Sequence, residues 1–150
     1  MSITAKEFDK TADGQPVTAY RMENAQGLKA EVINYGAILR SLKVPDANGQ
    51  LEDVVLGCDS VADYQKSPHF GGTIGRYANR IKGGRFVLNG QNHQLPLNDG
   101  NNHLHGGDGG FDRALWRVEE WDPKGDSLTL HYDSQDGEEG YPGMLTVTAT

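Results

Sequence analysis

Apolar and polar residues alternate with a period of two along much of the chain, and no stretch keeps the 3.6-residue period of a sustained helix. Val17 to Glu23 alternates and breaks at Asn24-Ala25-Gln26-Gly27. Leu28 to Asn34 and Ala37 to Val44 read as the next strands, with Gly36 allowing a bend or bulge between them. Pro45-Asp46-Ala47-Asn48-Gly49 is turn chemistry, because proline pre-sets φ and Asn-Gly tolerates a positive one. Asp53 to Leu56 predicts a short apolar strand, and Asp59 to Tyr64 one helical turn opened by a capping side chain. The clearest hairpin is Arg85 to Leu88, then Asn89-Gly90, then Gln91 to Leu97. Ala114 to Trp121 and Ser127 to Tyr132 form a further pair joined across Asp122-Pro123-Lys124-Gly125-Asp126, and Met144 to Thr150 is a last strand. Roughly nine or ten short strands, with turn signals about every eight to twelve residues, is the all-β pattern of a sandwich or large antiparallel sheet. The last strand has neither turn nor cap after it, so the pattern predicts an open sheet edge and a fold truncated at residue 150.

A chain of 150 residues suits a single domain, 1–150, with a real core. A net charge of −7 with no basic cluster argues against nucleic acid. Four acids between Asp133 and Glu139 read as a solvated loop. Cys58 is the only cysteine, which rules out an intrachain disulfide and fits a reducing compartment. Its neighbours Gly57 and Asp59 offer no cation to a thiolate, so a structural thiol is expected. Met1 to Lys10 lacks the apolar centre of a signal peptide, and no apolar run reaches membrane-span length. The expectation is a soluble cytoplasmic protein with no membrane partner.

Candidate chemistry gathers in Asn101 to Asp112, where His103 and His105 flank Leu104 and glycines follow. On an extended backbone both imidazoles would share one face. The glycines let a ligand, or another segment, approach the main chain. A metal site would need a third ligand, and cupin barrels place a glutamate four or five residues after the second histidine. Gly109 and Gly110 stand there instead, while His69, His93 and His131 show no supporting spacing, so no metal is expected. The other chemistry is a polar ligand. Arg80 beside Asn79, with Arg76 nearby, offers the forked donors that hold adjacent hydroxyls. By composition alone, surface ion pairs for Arg76 and Arg80 and a structural role for His103 are the commoner explanations.

Gly75-Arg76-Tyr77-Ala78-Asn79-Arg80-Ile81, Leu104-His105-Gly106-Gly107 with Gly110-Phe111-Asp112 and Trp116, Asp136 to Gly143, and Asn34-Tyr35-Gly36-Ala37 follow one another in the order of the aldose 1-epimerase (galactose mutarotase) family, which the chain resembles. The resemblance implies a large antiparallel β-sandwich (supersandwich) and mutarotation of aldohexoses such as galactose or glucose, without cofactor or metal. It places Asn79, Arg80 and His105 on the sugar hydroxyls. Arg76 and His103 are further candidates, and Phe111 and Trp116 are packing residues. Mutarotation needs a base for the anomeric hydroxyl and an acid for the ring oxygen. The family is similar in using a histidine acid and a glutamate base beyond the tyrosine-proline-glycine segment, in its second half. The 150 residues match the first half, so neither catalytic group is expected here, and Glu138 and Glu139 match a loop rather than the base. The alternative is a non-catalytic carbohydrate-binding β-sandwich module. Oligomeric state is left open.

Overall fold

The computed structural model describes residues 2–66, 69–121 and 127–150. Its strands in chain order are β1 (Ser2–Lys10), β2 (Pro16–Glu23), β3 (Lys29–Ile33), β4 (Ile38–Pro45) and β5 (Leu51–Asp53), followed by the helix α1 (Val61–Lys66). Then come β6 (Arg80–Lys82), β7 (Arg85–Leu88), β8 (Gln91–Gln94), β9 (Asn102–Leu104), β10 (Arg117–Trp121), β11 (Leu128–Ser134) and β12 (Leu145–Ala149). The first five strands make one antiparallel sheet in sequence order, and β10-β11-β12 make a second. Two ribbons, β6 with β9 and β7 with β8, lie between them in sequence.

Alternation along β2 explains the layering. Val17 and Ala19 project to one face, where Ile33, Tyr35 and Ile38 join Val61 and Tyr64 of α1. Tyr20 projects to the other face and packs with Ile3, Phe111, Trp116, Leu128 and Leu130, so the two sheets share a core. This is the expected sandwich. Beyond α1 the first face turns polar. Glu31, 5 % exposed, accepts from both Arg21 and Arg40. A cavity of about 570 Å³ lies over this polar face. Among the described residues no helix is long and apolar enough to cross a membrane.

The expected strand from Asp53 to Leu56 is displaced: β5 ends at Asp53, and Val54 and Leu56 are exposed. The Asp53 carboxylate causes this. It accepts from the backbone amides of Leu42 and Val55, at 3.0 and 3.1 Å, which turns the chain out of the sheet. The helix starts two residues later than expected, at Val61, where the Asp63 amide donates to Ser60 Oγ at 3.1 Å. Strand β10 starts at Arg117 because Phe111–Arg113 forms a 3₁₀ turn and Leu115 bridges to Tyr35. The connection at Asp122–Asp126 lies outside the described residues.

The Asn34-Tyr35-Gly36-Ala37 stretch ties the two sheets together. The Trp116 amide donates to Asn34 O at 2.7 Å, the Asn34 side-chain amide donates to Trp116 O at 3.3 Å, and the Gly36 amide donates to Ala114 O at 2.7 Å. Gly36 has φ +65°, and a Cβ there would stand 2.3 Å from Asp112 O, so only glycine fits.

Candidate functional site

Ribbon β6–β9 carries the candidate residues Arg80 and His103 and leads into Asn79 and His105. Its register sets Arg80 opposite Leu104 and Ile81 opposite His103. Asn98 fixes the far strand by accepting from the Leu104 amide at 2.7 Å and donating to Leu104 O at 2.9 Å. At the end of the ribbon the chain turns sharply: His105 has φ +53° and Asn79 φ +64°. The two residues clasp each other, with the His105 amide donating to Asn79 O at 3.1 Å and the Asn79 amide donating to His105 Nδ1 at 3.0 Å. An Nδ1 that accepts must be unprotonated, so neutral His105 carries its proton on Nε2. Burial pushes the pKa of His105 down, the charges of His69 and Arg80 push the same way, and only Asp112 opposes them. His105 is therefore held as a neutral Nε2–H donor.

Arg80 is anchored beside it. Its Nε donates to Asp99 Oδ2 at 2.6 Å and its Nη1 to Asn79 Oδ1 at 3.3 Å, while the side chain stays about half exposed. Arg80 Nη2 and the Asn79 side-chain Nδ2 have no protein partner among the described residues. Asn79, Arg80 and His105 thus converge with donors to spare, which is the arrangement a polyhydroxylated ligand requires.

The other two candidates point elsewhere. Positive φ at His105 breaks the extended backbone, so the two imidazoles do not share a face. His103 is fully buried; its Nδ1 donates to Pro96 O at 2.7 Å, and its ring meets Tyr141 edge-on at 5.3 Å. Arg76 is committed to the 134–142 segment. Its guanidinium donates to Ser134 Oγ at 2.8 Å, Ser134 O at 3.1 Å, Gln135 O at 2.8 Å and Pro142 O at 3.1 Å. It also lies 5.8 Å from the centre of the Tyr141 ring. Burial pushes the Tyr141 hydroxyl up to about 12, so it stays protonated.

The glycines serve another segment of the chain. A Cβ at Gly106 would stand 1.7 Å from Gly75 O, and one at Gly75 would stand 2.0 Å from the Phe111 ring. Glu139 closes the other side, accepting from the Gly109 amide at 2.8 Å. Glu138 accepts from Tyr132 and Ser134. Phe111 and Trp116 are buried, and Trp116 Nε1 donates to Phe111 O at 2.9 Å, so both pack the fold. The cavity of about 570 Å³ lies elsewhere, and the buried carboxylate on its wall is already paired with two guanidiniums. Unspent donors around His105 make the ribbon end the better site.

Sequence reading missed three residues of this neighbourhood. Asp99 holds Arg80, and His69 meets His105 edge-on with ring centroids 4.8 Å apart. The third, Asp112, is buried and binds His69 Nδ1 at 2.7 Å. Asp112 stands within a quoted motif, but nothing local couples it to a histidine 43 residues earlier. Among the described residues no three His, Cys, Asp or Glu side chains gather as a metal set.

The family model for aldose 1-epimerase matches residues 18–150. The galactose mutarotase of Sus scrofa is 40 % identical over 154 aligned residues, covering 100 % of this chain and 43 % of that protein. The aldose 1-epimerase of Escherichia coli (strain K12) is 36 % identical, covering 91 % of this chain and 39 % of that protein. The crystal structure of galactose 1-epimerase from Lactobacillus acidophilus NCFM superposes with a TM-score of 0.80 at 33 % identity, over 99 % of this chain and 43 % of that one. The chain spans less than half the length of each of these proteins.

Proposed function

The chain belongs to the aldose 1-epimerase family, and on that premise we propose that the protein interconverts the α and β anomers of aldohexoses such as galactose or glucose. In this reading residues 1–150 form one β-sandwich domain and contribute the hydroxyl-binding side of the site. Asn79 and Arg80 meet neighbouring hydroxyls with the Asn79 side-chain amide nitrogen and the outer guanidinium nitrogen. His105 donates through Nε2. The acid and base of ring opening are supplied from elsewhere in the protein. A cytoplasmic location fits a single cysteine left as a thiol.

The observation that carries the reading is the reciprocal clasp between Asn79 and His105. It spends Nδ1 inside the protein and leaves a neutral Nε2–H donor with no protein partner among the described residues, beside an anchored guanidinium. Neutral donors suit a neutral sugar, since a hydroxyl needs no countercharge.

Polarimetry of freshly dissolved α-galactose tests it. Relaxation to the anomeric equilibrium should be faster with the intact protein than without it. Arg80→Ala and His105→Ala should each weaken galactose binding several-fold, since a net hydrogen bond is worth about 0.5–1.5 kcal/mol. Wild-type affinity in both variants would remove these residues from the site. Tight galactose binding with uncatalysed relaxation would replace the epimerase with a carbohydrate-binding module.

A further inference from the structure

We propose that His69 is a fourth sugar-contacting residue, accepting through Nε2 a hydrogen bond from the same aldose hydroxyl to which His105 donates. The inference rests on the hydroxyl-binding reading of Asn79, Arg80 and His105 and extends it to a residue that the local sequence does not single out.

Tautomers make the argument. The Asp112 carboxylate only accepts, so the His69 nitrogen 2.7 Å from it must be the donor. Neutral His69 therefore carries its proton on Nδ1 and a lone pair on Nε2. His105 is the opposite case, because the Asn79 amide occupies its Nδ1 and leaves the proton on Nε2. Two imidazoles with centroids 4.8 Å apart thus offer one donor and one acceptor. A hydroxyl is the ligand group that does both. In the proposed complex a single hydroxyl oxygen lies at ordinary hydrogen-bond lengths of about 2.7–2.9 Å from both Nε2 atoms.

The arrangement is built rather than incidental. The Asp112 side chain is only 4 % exposed, whereas that of His69 keeps 23 % of its surface open, and its Nε2 has no partner among the described residues. Asp112 sits in a tight cradle: a Cβ at Gly72 would come within 2.7 Å of its own Cβ. His69 holds φ +58°, so three residues of this small site, His69, Asn79 and His105, all occupy the left-handed region that L residues rarely adopt. Such positions persist where the surrounding structure enforces them.

Nitrogen-15 spectra of the imidazoles in the intact protein decide the matter, with galactose as the probe. In the free protein the neutral form of His69 should be the Nδ1–H tautomer and that of His105 the Nε2–H tautomer. Saturating galactose should move both Nε2 resonances. His69→Phe should raise the galactose Kd about five- to tenfold, and His69→Gln, whose amide oxygen still accepts, should recover part of that loss. Should the phenylalanine variant fail to fold, the wild-type spectra still answer. Galactose that moves His105 alone, or a His69→Phe affinity equal to wild type, overturns the role of His69 and leaves the sugar site standing. No response at either histidine overturns both.

Discussion

His105 shows how a single residue can be set by backbone geometry. Its folded pKa lies below the ordinary 6.5, because burial and the charges of His69 and Arg80 outweigh Asp112. As pH falls below 6.5 toward that folded value, the unfolded chain takes up a proton that the folded chain refuses. Stability should therefore drop as pH falls through this window and return as it rises. Denaturant melts on either side of pH 6.5 measure it, and His105→Gln should flatten the slope. Gly106 sets a sharper limit. With φ +89° and Gly75 O lying 1.7 Å from any Cβ, Gly106→Ala should cost at least the roughly 1–3 kcal/mol of an overpacked site. An unchanged melting temperature would contradict that contact. At this scale the motifs singled out Asn79, Arg80 and His105, and the structure brings the three together. Alternation alone could not separate His103 from His105, because it predicts a shared face only while the backbone stays extended.

Among the elements, the long strands β2, β4 and β11 were legible, and so was the Asn89-Gly90 hairpin. Asn89 at φ +51° and Gly90 at φ +77° give it the two left-handed residues of a tight hairpin turn. Strand β1 escaped notice because Ile3 alone is fully buried along it, while Lys6 and Glu7 face solvent at the sheet edge. Strands β6 and β9 are three residues each, too short for any period to register. The loop after β11 is the element most dependent on one side chain. Arg76 donates to three backbone carbonyls in Ser134, Gln135 and Pro142, and to the Ser134 hydroxyl. Charge-assisted bonds contribute about 1.5–3 kcal/mol, so Arg76→Ala should destabilise the fold by at least that order. It should also raise amide exchange across 134–142. A loop that stays protected in the variant would show that its own turns suffice.

Taken whole, the molecule is a sandwich in which the site hangs from the junction of its two sheets. The Asn34 side chain reaches Trp116 O across 82 residues, and Asp112 packs against Gly36 from the same junction. The strands β1 to β5 pair with their sequence neighbours, whereas this junction cannot form until the chain has doubled back on itself. Closing a loop of that length has an entropic cost of order 4 kcal/mol, and non-local pairings slow folding. The order of assembly follows: the meander first, and the end that carries Asn79, Arg80 and His105 afterwards. In stopped-flow refolding, the near-ultraviolet signal of Trp116 should appear later than far-ultraviolet strand signal, and galactose binding should return no sooner than Trp116. A nascent chain would thus hold a formed sheet well before its candidate ligand-binding end took shape.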